Sequence, residues 1–368
     1  MNPDQHLHAA TRSGHPLISV VVPSYNHGRY IGACLDSLMF QDYPNLEIII
    51  TDDASTDDSV AVIRRFLRDV AHATASYACR YDPAADVVER AVHPRYARTG
   101  RRIVFLRAEA NAGSTANYNQ GLSQCTGEYC TFVPADDICH PQLFSTLAWP
   151  LMDDTADFAY ADMFVVDDDM RILREFRLPE HSFDASFRSW YLCGVAKLYR
   201  RALHDRFGPF DETADADDHE CFLRFALGGA RFVHVPHTLY SVRSHQGRET
   251  GLHAPGRFAR LLEHSKRLTL MAREREPAPP GAWREEMVST GALAAPAAPG
   301  APGAPDADGA PGAGRAPHAT HTAHGPHPVA ERVVLTDEER SFFTEGNGAA
   351  TPSPPPPPPD DDEEARRG

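Results

Sequence analysis

Nowhere in the 368 residues does an apolar run reach the roughly 18 to 20 residues that a membrane span needs, and Met1 to His15 lacks the hydrophobic stretch of a secretory signal. A cytoplasmic chain is therefore expected. Its seven cysteines contain no CxxC pair, so neither a zinc knuckle nor a dithiol redox motif is indicated, and packed, reduced thiols are the default reading. Positive charge is also short: 36 Lys and Arg against 51 Asp and Glu leave a formal net charge of -15. A nucleic-acid backbone needs clustered cations to displace its counterions, so no nucleic-acid partner is expected, and any nucleotide bound is a small one. No Gly-rich loop bearing Lys or Arg follows the first apolar run, which leaves a nucleotidyltransferase acting on a nucleoside triphosphate without support.

What is present is enough apolar material for one sizeable core, 42% hydrophobic against 24% charged residues. Leu17 to Val22 is a continuous Val/Ile-rich run, as in a strand buried on both faces. Helical spacing of Ile31, Leu35, Leu38 and Met39 follows, then a second buried run, Leu46 to Ile50. The rhythm repeats with a helix over Asp57 to Val70, a strand at Ile103 to Leu106, a short helix over Thr115 to Gln124 and a strand at Tyr129 to Val133. Short-linked alternation of this kind predicts an α/β fold with an open, doubly wound, mostly parallel sheet flanked by helices.

Residues 16–250 read as one domain, preceded by a flexible leader, residues 1–15. Residues 71–102 break the rhythm and read as an insertion, a lid or a decoration. Further on, a helix is expected over Pro141 to Met152, a hairpin from Phe158 to Val166 and Arg171 to Phe176, a helix over His219 to Leu227, and a strand at Arg231 to Val235 with extended chain at Tyr240 to Arg243. Residues 251–275 form a terminal amphipathic helix, with Phe258, Leu261, Leu262, Leu268 and Met271 on one side. Such a stripe either docks on the domain or lies peripherally on the inner face of a membrane. From Glu276 onward Pro, Ala and Gly dominate, a composition unable to offset ordering entropy, and residues 276–368 are expected to be disordered. Within them, His318, His321, His324 and His327 read as a solvated linker, Arg332 to Phe343 as a short helix or docking segment, and Pro354 to Pro359 as polyproline II before an acidic run.

In an open parallel sheet, functional residues collect at the carboxyl ends of the strands. Three polar clusters fall there: Pro23, Ser24, Tyr25 and Asn26; Asp52 to Asp57; and Asp136 with Asp137. Each alone has a plain alternative, since Asp52 to Asp57 can cap the next helix and Asp136 and Asp137 can start one. Their appearance at successive strand ends favours a shared site.

Over residues 17 to about 250 the ordered motifs resemble a family 2 glycosyltransferase of the GT-A fold. They are Pro23 to Asn26; Asp52, Asp53, Ser55 and Asp57; Asn111, Gly113 and Asn119; Gly127 to Tyr129 running into Asp136 and Asp137; Tyr199 to Arg201; Gly208 to Glu212; and Asp217 and Asp218 with Arg224. The resemblance implies an inverting transfer of a sugar from a nucleotide diphosphate donor, a UDP- or TDP-sugar, to a hydroxyl of a saccharide or lipid-linked acceptor in surface polysaccharide synthesis. It implies nucleotide contacts from Pro23, Tyr25, Asn26, Asp53, Ser55 and Asp136, and a Mg2+ or Mn2+ ion held by Asp137 and His245. Asp218 takes the position of the general base. For Asp218 the plain alternative is a helix N-cap, and for His245 a structural role. The Asp167 to Asp169 run reads as a solvated turn. One departure is the lack of any positive charge from Gly113 to Gln120, where relatives often carry an Arg, so diphosphate neutralisation would shift to the metal, Arg107 or Arg243. The competing function is a catalytically silent nucleotide-sugar-binding scaffold that recruits partners through the tail.

Overall fold

A computed structural model describes residues 14–82, 87–96, 101–191, 193–245, 255–291 and 331–333. Its first half is built from β1 (Ile18–Ser24), α1 (Gly28–Met39), β2 (Leu46–Asp52), α2 (Ser59–His72), β3 (Thr74–Asp82), β4 (Val87–Pro94), β5 (Arg102–Arg107), α3 (Ser114–Leu122) and β6 (Tyr129–Phe132). β1 and β2 are buried at every position, which is why their sequences lack polar alternation. They pair in parallel, with Ile18 opposite Leu46 and Ser24 opposite Asp52, and β5 and β6 join them in the same sense. The carboxyl ends of β1, β2 and β5 therefore lie level, and their loops open along one edge. α3 crosses close to β1: a Cβ placed on Gly121 would come within 2.2 Å of a Val21 methyl.

The second half comprises β7 (Ile138–Cys139), α4 (Leu143–Met152), β8 (Phe158–Val166), β9 (Ile172–Phe176), a π-helical turn at Asp184–Ser189, β10 (Lys197–Arg200), α5 (Ala202–Phe207), α6 (Asp217–Leu227), β11 (Phe232–Arg243), α7 (Pro255–Arg273) and α8 (Ala282–Ser289), with a short β12 (Glu331–Val333). The main sheet runs β12-β5-β2-β1-β6-β10-β8-β11-β7, with β9 on β8. The open, helix-flanked sheet expected from the sequence is present. Its parallel character is concentrated in β5-β2-β1-β6 and in the β8-β11 pair, while β10 runs antiparallel to both of its neighbours, making the whole sheet mixed.

The insertion takes a defined form, and one boundary is corrected. The 71–102 insertion contains an antiparallel hairpin of β3 and β4, set apart from the main sheet. The ordered domain does not stop at 275, because α8 packs back onto it with Trp283 only 1% exposed and Met287 buried. Trp283 Nε1 donates to Asp157 Oδ2 at 3.1 Å, a contact that gives this part of a Pro- and Ala-rich segment its anchor. Helix α7 docks through Leu268 and Ala272, both buried. Among the described residues no helix is long and apolar enough to cross a membrane. Residues 1–13 of the leader, the histidine repeat and the polyproline run lie outside the described residues.

Candidate functional site

The loops after β1 and β2 are stitched into one wall. Asn26 takes a left-handed φ of 56°, and its Oδ1 accepts from the amides of Thr56 at 2.8 Å and Asp57 at 3.3 Å. In return Asn26 N donates to Ser55 Oγ at 2.9 Å, and Gly28 N to Asp57 Oδ2 at 2.9 Å. These bonds account for the asparagine, serine and aspartate of the two loops as scaffold. Asp53 does the same for the third loop, its two oxygens accepting from Ala112 N at 2.8 Å and Gly113 N at 2.9 Å. Gly113, at φ 95°, lets the chain curl around that carboxylate.

Between these loops and the end of β11 lies a cavity of about 650 Å³. Pro23, Tyr25, Asn26, Asp53, Asp136 and His245 all line it, whereas Ser55 stands behind the wall. Ser24, which the sequence placed in the first polar cluster without a contact of its own, lines it too, and so does Asn117, which the sequence reading did not single out. Ser24 Oγ and Asn117 Oδ1 are buried on this floor without a hydrogen-bond partner. An orphaned buried polar atom is costly unless a ligand satisfies it, and both can serve the polar edge of a base or a ribose. A buried Asn ten residues after the end of β5 carries no distinctive sequence signal.

The two adjacent aspartates after β6 separate in function. Asp136 faces the cavity, its Oδ2 lying 3.0 Å from His245 Nε2, and the His245 ring packs on Tyr30 with centroids 4.5 Å apart. Asp137 is turned inward and is 0% exposed, accepting from Tyr240 Oη–H at 3.2 Å and from Arg243 N at 3.0 Å. The sequence expected the metal contact from Asp137, whose carboxylate is engaged inward, and it is Asp136 that stands beside His245 on the open wall. Among the described residues no group of three or more His, Cys, Asp or Glu forms a closed cage. One carboxylate with one imidazole fits a cation such as Mn2+ that completes its shell with substrate phosphate and water.

Asp217 and Asp218 start α6. Asp217 Oδ2 accepts from Thr115 Oγ1 at 2.6 Å, tying α6 to α3, and it lines a second cavity of about 230 Å³. This cavity shares Gly113, Ser114 and Arg257 with the first. Burial, and then the charge of Asp218, push the Asp217 carboxyl up to about 6. Asp218 does not line either cavity; its Oδ2 accepts from Tyr191 Oη–H at 3.1 Å and its Oδ1 from the adjacent His219 N at 2.7 Å, and since Ala216 occupies the N-cap of α6 the capping alternative does not describe it. Behind the pair, Lys197 is buried with Nζ 3.5 Å from the Phe132 ring centroid, and burial lowers its pKa to about 8 against the pull of Asp218.

The Asp167 to Asp169 turn is less solvated than its sequence implies. Asp168 accepts from Tyr30 Oη–H at 3.0 Å and pairs with Arg29 at 3.3 Å, which pins the hairpin tip to α1. Arg243, one of the two cations expected to neutralise a diphosphate, is instead buried, with Nε bonded to Asp136 O and Nη1 to Asp168 O. Neither it nor Arg107 lines the 650 Å³ cavity.

Residues 19–74 and 82–208 match the family described as Glycosyl transferase family 2. Among curated proteins, the chain is 26% identical over 247 residues to the glycosyltransferase GlyG of Streptococcus pneumoniae, covering 63% of this chain and 72% of that one. It is 31% identical over 142 residues to the uncharacterized glycosyltransferase YibD of Escherichia coli, covering 39% of this chain and 32% of the other. A Campylobacter jejuni GalNAc(5)-diNAcBac-PP-undecaprenol beta-1,3-glucosyltransferase is 29% identical over 132 residues, 36% of this chain and 33% of that protein. The chain thus spans about a third of the length of the last two. Among solved structures, Staphylococcus aureus TarS with UDP-GlcNAc has 23% identity and a TM-score of 0.48 over 63% of this chain and 60% of its own. The Pyrobaculum calidifontis mannosyltransferase PcManGT with GDP-Man and Mn2+ has 18% identity and a TM-score of 0.48 over 76% and 70%.

Proposed function

Because the chain belongs to glycosyl transferase family 2, we propose that its crevice transfers a sugar, with inversion, from a nucleotide diphosphate donor to a hydroxyl of a saccharide or lipid-linked acceptor. Surface polysaccharide assembly is the setting this reading favours, at the cytoplasmic face of a membrane. The observation that carries it is the junction of two cavities. A larger one has nucleoside-sized walls and orphaned polar atoms on its floor, and a smaller one holds Asp217, whose carboxyl burial and the charge of Asp218 push up to about 6.

The nucleoside end of a UDP- or TDP-sugar lies along Pro23, Tyr25, Asn26 and Asp53, with Ser24 and Asn117 meeting the polar edge. Asp136 and His245 hold Mg2+ or Mn2+, in place of the Asp137 and His245 pair that the sequence suggested. When bound, such an ion acts as a Lewis acid on the departing diphosphate. The acceptor enters from the smaller cavity and its hydroxyl attacks the anomeric carbon opposite the leaving group. Asp218, at the start of α6, is the proposed base for that hydroxyl proton. Asp217 stands on the wall of that cavity, where burial and the neighbouring charge of Asp218 raise its carboxyl to about 6.

Release of UDP, TDP, GDP or CMP from a panel of sugar nucleotides with Mn2+, with and without acceptor glycans, tests the activity. Turnover of at least one donor is expected, and Asp218→Asn should cut kcat by about 10²- to 10⁴-fold while leaving donor affinity intact. Absence of both turnover and calorimetric binding across the panel would refute the reading, and unchanged kcat in Asp218→Asn would remove the assigned base.

A further inference from the structure

We propose that Arg257, delivered by α7, is the cation that binds the diphosphate of the donor. The inference rests on the nucleotide-sugar reading above and goes beyond it by naming a residue outside the part of the chain that matches the family, which ends at 208.

Three observations carry it. Among the described residues, Arg257 is the one Lys or Arg on the wall of the 650 Å³ cavity, where the other charged groups include the carboxylates Asp53 and Asp136. A ligand with two phosphates entering such a wall meets repulsion unless a cation is present. Arg257 also lines the smaller cavity, so it stands where the two meet, between the nucleoside floor and Asp217. That is where the bond between sugar and phosphate must lie if the donor occupies one cavity and the acceptor the other. Finally, its Nη2 lies 3.0 Å from Ser114 Oγ, which orients the guanidinium at the junction. A planar guanidinium presents paired donors that match phosphate oxygens, which Lys does as a point charge only.

Helix α7 is held in place for this task at its other end, where Leu268 and Ala272 are buried against the domain. Arg260, one turn on from Arg257, lies 3.2 Å from Asp215 on the rim of the smaller cavity. The amphipathic helix therefore carries Arg257 to the crevice as a docked element.

The test uses the full-length chain and calorimetry. Wild type is titrated with UDP, TDP and GDP in Mn2+, and the tightest binder is then compared with its own nucleoside in wild type, Arg257→Gln and Arg257→Lys. Arg257→Gln should weaken the diphosphate by about 10- to 100-fold, with nucleoside affinity unchanged, and Arg257→Lys should recover part of the loss. Equal diphosphate affinity in wild type and Arg257→Gln would overturn the proposal. So would parallel losses for diphosphate and nucleoside, which would mean a disturbed cavity. If wild type bound none of the three diphosphates, the nucleotide-sugar reading would fail first and this inference with it.

Discussion

Asp157, at the seam of β8, β11 and α8, and Asp217, at the mouth of the crevice, are both largely buried carboxylates, yet their surroundings oppose each other. Asp157 receives Arg231 Nε at 3.0 Å and Nη2 at 2.9 Å, the amide of Arg231 at 2.9 Å and Trp283 Nε1 at 3.1 Å, with Arg200 and Arg284 within 3.4 Å. Burial alone would raise its pKa, but these hydrogen bonds, led by those of Arg231, outweigh it and hold the carboxyl low. Asp217 has Thr115 and the amide of Asp218 as donors and a like charge beside it, and its pKa rises. A buried charge given cations is fixed and holds the fold together. One left short of them exchanges a proton within reach of neutral pH, which suits a site of chemistry.

Removing each carboxylate should therefore act on different observables. Asp157→Ala removes the fully buried acceptor shared by Arg231, Arg284 and Trp283, leaving Asp154 as the carboxylate partner of both guanidiniums, and should cost about 3–5 kcal/mol in urea unfolding, with kcat per folded molecule retained. Asp217→Asn should change stability at pH 7 by about 1 kcal/mol or less, because the loss of an acceptor for Thr115 is offset by relief of repulsion from Asp218, and should lower kcat. A stable Asp157→Ala, or an Asp217→Asn with full turnover, would break the contrast.

The same contrast recurs between neighbours at the end of β6. Asp136→Asn should lower kcat by about 10²- to 10³-fold, with the loss of Mn2+ binding visible by paramagnetic resonance. Asp137→Asn leaves Tyr240 and Arg243 without their full acceptor and should cost about 1–3 kcal/mol of stability, with Mn2+ binding preserved. The reverse result would restore Asp137 as the metal contact.

Which member of a pair faces the cavity could not be read from the chain. That choice is made by Tyr240 and Arg243, more than a hundred residues away, whose hydroxyl and amide draw Asp137 inward. β1, β2, β5 and β6, by contrast, are legible because each is a local apolar run closed by turn residues, and the loops that follow them inherit their position from the level strand ends. β10 was missed because four residues containing a lysine, KLYR, do not look like a central strand; Lys197 is buried there by stacking over Phe132. α8 hid in biased composition, although Trp283 and Met287, four apart, are the pair that docks it. Of the motif residues, Pro23, Tyr25, Asn26, Asp53 and Asp136 line one cavity, while Arg257, the proposed cation, sits in a helix whose apolar stripe indicated docking and nothing about phosphate.

The smallest expected effect separates the two carboxylates by the sign of their pH dependence. Asp157 has a folded pKa below the unfolded value, so the stability it contributes is present above the unfolded pKa, near 3.8, and is lost as pH falls through the folded one. Asp217 rises from 3.8 to about 6, so its folded state binds more protons than the unfolded chain in that interval. Its contribution is full below 3.8 and declines as pH rises through 6, a loss of about 1–3 kcal/mol after allowance for its partial contact with solvent. Wild-type unfolding free energy measured from pH 4 to 7 should carry this downward component, and Asp217→Asn should lack it. The acidic limb of kcat against pH, expected near 6 in wild type, should shift in the same variant. If the two proteins gave parallel stability curves across the interval, Asp217 would be an ordinary carboxylate, and the crevice would have lost the group that sets it apart from the seam.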